Sequence, residues 1–238
     1  MKIAATTLGE TAGDLLSMTL NVGYAMSSMI LIGLFSVTLV IQLRSKEYHP
    51  LLYWTVILST STAGTTMSDY MDRTLGLGYA KGTLILTAIL AAIFVCWRFS
   101  AHSFSVQKIT TFKVEMLYWT AILFSNTLGT ALGDFLADDS GLGFAGGALL
   151  IGGLLTLTAL AANVSRFSKT LLFWIAFVLT RPFGATLGDV LTKSRAQGGL
   201  NFGTIGSSII LGSILGILIL YTTYGQRNRA QRPDTFAA

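Results

Sequence analysis

Thr7-Leu8-Gly9-Glu10-Thr11-Ala12-Gly13-Asp14, Thr62-Ala63-Gly64-Thr65-Thr66-Met67-Ser68-Asp69, Thr127-Leu128-Gly129-Thr130-Ala131-Leu132-Gly133-Asp134 and Pro182-Phe183-Gly184-Ala185-Thr186-Leu187-Gly188-Asp189 are four versions of one octapeptide. Each ends on an aspartate five residues after a glycine, and a further glycine follows nine residues later: Gly23, Gly78, Gly143 and Gly198. In the last three versions an aromatic pair opens the segment, with its Trp fifteen residues before the aspartate: Tyr53-Trp54, Tyr118-Trp119 and Phe173-Trp174. The aspartates are 55, 65 and 55 residues apart, as in two doublets joined by a longer loop, 100–113. In repeat one the aromatic pair would fall before Met1, so its first helix is short.

Self-similarity at such a period means one supersecondary unit used repeatedly. Composition identifies the unit's surroundings. The chain has 238 residues, 52% of them apolar and 11% charged, against about 25% charged in soluble domains. A mean hydropathy of +0.65 excludes disorder, and so few charges cannot clothe a soluble surface. Cys96 is the single cysteine, which excludes an internal disulfide and disfavours a thiolate metal site.

A helix needs roughly 20 apolar residues to cross a bilayer. Four charge-free runs approach or meet that, Ala25–Leu43, Gly82–Trp97, Phe144–Val164 and Phe202–Tyr224; these are the B helices. Between them lie apolar runs that carry charge and many small or hydroxyl residues, Ile3–Leu20, Leu51–Met71, Met116–Ala137 and Leu171–Leu191; these are the A helices. The expectation is an all-α polytopic membrane protein of seven to eight transmembrane helices. It forms one transmembrane domain over 1–226, in repeats 1–50, 51–115, 116–170 and 171–226, with a basic cytoplasmic tail, 227–238. No cleavable signal pattern opens the chain.

Loops after B helices hold Arg44, Lys46, Arg98, Lys108, Lys113, Arg166 and Lys169; Lys2, Arg227, Arg229 and Arg232 lie on the same side. The A-to-B turns hold only Arg73, Lys81, Lys193 and Arg195. The positive-inside rule then puts both termini in the cytoplasm. The basic residues are topology signals, so the net charge of +5 points away from nucleic acid as a partner. His49 and His102 fall in cytoplasmic loops, and Asp138-Asp139 in an outer turn. Trp54, Trp119 and Trp174 are expected as interfacial anchors.

Two crossings per repeat give all repeats one orientation, so equivalent residues share a depth. Trp and Asp are about 22 Å apart along a helix at 1.5 Å per residue. Asp14, Asp69, Asp134 and Asp189 therefore form one layer in the outer half of the bilayer, with Glu10 one turn below Asp14 and Arg181 two turns below Asp189. Charges at such depths are costly and mark function. Every intramembrane charge is on an A helix, which places A helices at the centre and B helices against lipid. Clustered carboxylates need protons, a cation or hydrogen-bond donors. Thr65, Thr130, Asn126, Ser61, Thr62, Thr66, Thr127, Thr186, Thr6, Thr7 and Thr11 supply oxygen and amide groups nearby. Oxygen ligands without His or Cys suit Mg, Ca or Mn. The other reading of the aspartates is structural: water-exposed caps at helix ends. Arg181 is expected to neutralise a carboxylate rather than to bind an anion. Gly9, Gly64, Gly129 and Gly184 let helices approach, and Gly212 with Gly216 forms a G-x-x-x-G for packing.

The T-x-G-x4-D core, followed by Gly23-Tyr24-Ala25, Gly78-Tyr79-Ala80 and Gly143-Phe144-Ala145, resembles a bacterial family of membrane-anchored proteins defined by this tandem two-helix repeat. The resemblance covers residues 1 to about 224; it implies architecture and is silent on activity. Repeat four departs from it: Pro182 replaces Thr, and the turn element is recognisable as Asn201-Phe202-Gly203, slipped by three residues.

The leading functional expectation is a small-cation transporter or channel in the bacterial inner membrane, divalent or proton-coupled, with Asp14, Asp69, Asp134, Asp189 and Glu10 as its site. A divalent cation is expected as its substrate, and no cofactor is expected. Its partners are the lipid bilayer, the small cation and a second copy of the chain. One alternative is a non-catalytic scaffold or regulator. Another is an intramembrane aspartyl protease, but Ala131 and Thr186 stand where G-x-G-D needs its first glycine. No nucleotide, haem or nucleophile motif is present, and the chain is not expected to be an enzyme.

Overall fold

The computed structural model describes residues 1–45, 48–100, 111–164 and 168–230, with side chains to residue 224. Lys46, His102, Lys108, Arg166 and Arg232 lie outside the described residues. Within them the chain is all-α: α1 (Lys2–Asp14), α2 (Tyr24–Arg44), α3 (Pro50–Asp69), α4 (Tyr79–Ser100), α5 (Phe112–Asp134), α6 (Gly143–Ala162), α7 (Lys169–Thr192) and α8 (Gly203–Ala230). Helices α2, α4, α6, α7 and α8 are long and apolar enough to cross a membrane. Helix α8 runs through Arg227 and Arg229, inside the stretch expected as tail.

Local chemistry sets the boundaries. Pro50 opens α3, where its missing N–H costs nothing. The Thr111 and Ser168 side chains cap α5 and α7 by accepting from the Val114 and Leu171 amides at 3.4 Å. After each of the first three aspartates the helix widens into one π turn, Leu15–Thr19, Tyr70–Thr74 and Phe135–Asp139. Such turns insert a residue and re-aim the chain beyond them. Helix α7 instead stops at Thr192 and a 3₁₀ turn, Arg195–Gln197, leads to Gly203, where the slipped element opens α8.

The A helices α1, α3, α5 and α7 pack each on the next, and α7 closes back on α1. One contact recurs four times. A Cβ on Gly9 would overlap Ser61 Oγ, and one on Gly64 would lie 2.9 Å from Asn126. On Gly129 it would overlap Arg181 Cγ, and on Gly184 Thr6 Oγ1. The partner is always the residue three before the next repeat's glycine. One turn on, Gly13 meets Thr65, Gly133 meets Ala185 and Gly188 meets Glu10. Contacts that advance together along both helices mean parallel helices, so the four repeats share one orientation. Backbones come this close only where the side chain is absent.

The B helices wrap this ring. Each packs along the following repeat's A helix: α2 on α3, α4 on α5, α6 on α7, and α8 back on α1. Thr38 and Ser59 hydroxyls bond at 3.0 Å between α2 and α3. Across the closing seam Ser208 Oγ donates to Thr11 Oγ1 at 2.9 Å. The outer faces are apolar, with Met29, Leu84, Leu149, Ile217 and Leu220 exposed.

Two of the three tryptophans expected as interfacial anchors differ from expectation, while Trp54 is half-buried. Trp119 and Trp174 are buried rather than presented at an interface. They join Trp97 and Tyr118 in an aromatic cluster, with Trp97 edge-on to Trp174 at 5.5 Å and Tyr118 edge-on to Trp119 at 5.2 Å. Edge-to-face geometry at these separations adds to the burial energy. The cluster fastens the amino-terminal end of the ring. At the same end a cavity of about 270 Å³ lies among Lys2, Tyr53, Trp54, Phe173, Phe177 and Thr180.

Candidate cation site

Because the A helices are parallel and in register, residues four apart stack as successive levels of the ring. Thr6, Ser61, Asn126 and Arg181 form the first level, and Glu10, Thr65, Thr130 and Ala185 the second. Asp14, Asp69, Asp134 and Asp189 form the third, and Met18, Arg73, Asp138 and Lys193 the fourth. Arg181 and Glu10 thus occupy repeat positions that carry short neutral side chains elsewhere.

Arg181 is completely buried and held on several sides. Its Nη1 donates to the Thr6 carbonyl at 3.0 Å, and its Nη2 to the Ser61 carbonyl at 3.2 Å and Thr130 Oγ1 at 2.7 Å. Nη2 also contacts Thr65 Oγ1. The same nitrogen lies 3.0 Å from Glu10 Oε2. Thr65 and Thr130 donate to that oxygen at 3.2 and 3.1 Å. All four A helices therefore meet at one ion pair, the geometry in which a buried charge is tolerated.

The four aspartates are buried, at 4%, 2%, 3% and 3% exposure for Asp14, Asp69, Asp134 and Asp189. This burial overturns the water-exposed cap. Each has a cation from the fourth level. Arg73 Nε lies 3.0 Å from Asp69 Oδ1 and its Nη2 3.6 Å from Asp134 Oδ2. Lys193 Nζ lies 3.2 Å from Asp189 Oδ1 and 3.5 Å from Asp14 Oδ2. Each cation thus binds the aspartate four residues before it and the aspartate of the following repeat. Repeats two and four supply the cations, so the four-fold sequence is two-fold in charge.

Glu10, Asp134 and Asp189, from three repeats, each offer one carboxylate oxygen, and these oxygens lie within 4.8 Å of one another. Asp14 and Asp69 stand beside this trio, each tied to Lys193 or Arg73. Oxygens at that spacing fit around one hard cation, whose ligand distances are about 2.0–2.6 Å. Five carboxylates face three cationic side chains, a formal excess of two negative charges.

Arg73 and Lys193 are site residues that the sequence presents as turn residues and topology charges. The Asp-x-x-x-Arg and Asp-x-x-x-Lys spacings, present only in repeats two and four, are the signal that could have found them. Most hydroxyls expected around the site look elsewhere. Thr7, Thr62, Thr66, Thr127 and Thr186 bond to carbonyls of their own helix, and Thr11 to Leu8. Thr65 and Thr130 are the ones that reach the carboxylate of Glu10. Asn126 Nδ2 donates to Thr60 Oγ1 at 2.9 Å, while its buried Oδ1 and Ser61 Oγ have no hydrogen bond among the described residues.

The family model of the Repeat of Unknown Function (DUF347) matches residues 1–48, 52–103, 117–167 and 172–228. The chain belongs to this family. Its four DUF347 repeats coincide with the four A–B units, and the family description adds no activity to them. No curated protein and no solved structure matches the chain.

Proposed function

We propose that this protein moves a small cation across a bacterial cytoplasmic membrane, with both termini in the cytoplasm and the carboxylate trio as the binding site. The observation that carries this reading is the convergence of Glu10, Asp134 and Asp189 within 4.8 Å in the buried centre of the ring. Buried acidic groups in a membrane helix bundle are expensive and are retained for ion or proton pathways. The B helices present apolar faces to lipid, and the A helices shield the charge. An all-oxygen ligand set with a residual charge of minus two favours Mn, Mg or Ca over soft metals. Protons are the other cargo that balances this charge.

Purified protein in proteoliposomes tests the reading through Mn²⁺ uptake. Asp134→Asn and Asp189→Asn are each expected to abolish uptake while the protein remains folded. Full uptake in both variants rejects the site.

A further inference from the structure

We infer that Arg73 is a tethered competitor of the cargo, a side-chain cation that leaves Asp134 when a divalent cation arrives and returns when it departs. This rests on the cation-binding reading above.

Every carboxylate of the trio is engaged by a different positive side chain: Glu10 by Arg181 at 3.0 Å, Asp189 by Lys193 at 3.2 Å and Asp134 by Arg73 at 3.6 Å. A metal ion ligated by these oxygens must displace or repel those cations. They differ in what holds them. Arg181 is fully buried, bonded to Thr6, Ser61 and Thr130, and cannot move without breaking the ring. Lys193 bridges two carboxylates at 3.2 and 3.5 Å, as Arg73 does at 3.0 and 3.6 Å, but the Lys193 carbonyl is in addition fixed by the Asn201 amide at 3.0 Å. Arg73 makes the longest of the three contacts, and its side chain is 30% exposed.

In this same position Arg73 already touches groups that can hold it once Asp134 is released. Its guanidinium lies 5.9 Å from the Tyr24 ring centroid and 5.6 Å from that of Tyr79, and its Nη1 donates to the Tyr24 hydroxyl at 3.4 Å. Aromatic faces stabilise a guanidinium that has given up a carboxylate. These tyrosines are the aromatic residues of the Gly-Tyr-Ala turns in repeats one and two. The turn element therefore acquires a role: it cradles the displaced arginine. Arg73 sits within the π turn Tyr70–Thr74, a local geometry frequently found at functional sites.

Titration calorimetry with MnCl₂ on the full chain in nanodiscs tests this. Arg73→Gln removes the competitor and is expected to bind Mn²⁺ at least about tenfold more tightly than the wild type. Arg73→Lys should restore near-wild-type affinity. Tyr24→Leu with Tyr79→Leu keeps the arginine but removes the aromatic contacts that would hold it off Asp134, and is expected to weaken Mn²⁺ binding several-fold. A purely structural Arg73 predicts weaker binding for Arg73→Gln, and that result, or unchanged affinity, overturns the inference while leaving the cation site standing. Should Arg73→Gln fail to fold, unchanged affinity in the double tyrosine variant overturns it equally. A folded wild type that binds no Mn²⁺ overturns this inference together with the divalent-cation reading on which it rests.

Discussion

Two arginines close opposite ends of the same acidic cluster under opposite conditions. At Arg181 a glycine of α5 lets the side chain cross the seam, two carbonyls and two threonines meet its Nη1 and Nη2, and no surface is exposed. At Arg73 the helix has loosened into a π turn, the side chain is partly exposed, and aromatic rings compete with the carboxylates for its charge. The chemistry of the two groups is identical. The difference teaches that the degree of enclosure decides whether an internal cation is a fixed strut or an exchangeable plug.

The contrast breaks most visibly at Arg181. Arg181→Met leaves the Glu10 carboxylate buried without its cation, and about 3–5 kcal/mol of stability is expected to be lost. Adding Glu10→Gln should recover much of that loss, because both charges then leave together. Thermal unfolding in detergent reads both. No recovery in the double variant contradicts the ion-pair account.

The seams that hold Arg181 in place come next. Gly64→Leu must force a side chain against the Asn126 backbone, 2.9 Å from the position of the new Cβ. Overpacking of this kind costs about 1–3 kcal/mol, and should lower the unfolding temperature without altering the charge layer. Ser208→Ala removes the hydroxyl bond that ties α8 to α1, and a loss of about 1 kcal/mol is expected. Gly153, on α6, is the control: a Cβ there meets nothing within 4 Å. Gly153→Ala should change stability by less than about 0.5 kcal/mol or raise it slightly through helix propensity. A large loss at Gly153 would mean that the outer helices pack against something beyond this chain.

These effects also mark what the sequence could disclose. The glycine-to-aspartate spacing repeats in the primary structure, so the helical hairpins, their common orientation and the shared depth of the aspartates are readable there. So is the separation of polar A from apolar B helices, because periodic charge and hydropathy are local properties. The pairing of Lys193 with Asp14 is not readable, since it exists only because α7 closes on α1 across the whole chain. Helix α2 supports α3 through contacts such as Thr38 with Ser59, which hydropathy does not specify. Trp119 reads as an interfacial anchor because amphipathic rings favour interfaces, but the ring brings Trp119 against Tyr53 and Tyr118, and the cluster buries it. Thr127 and Thr186 read as ligands because composition counts hydroxyls and cannot show that each is satisfied by its own helix.

Equilibrium dialysis against Mn²⁺, with the folded chain counted, tests the central claim most directly. A single ion bound per chain is the predicted result. Occupancy should be lost in Glu10→Gln, Asp134→Asn and Asp189→Asn, one from each contributing repeat, and kept in Asp138→Asn, whose carboxylate is not part of the trio. Equal loss in Asp138→Asn, or retention in all three trio variants, would contradict it.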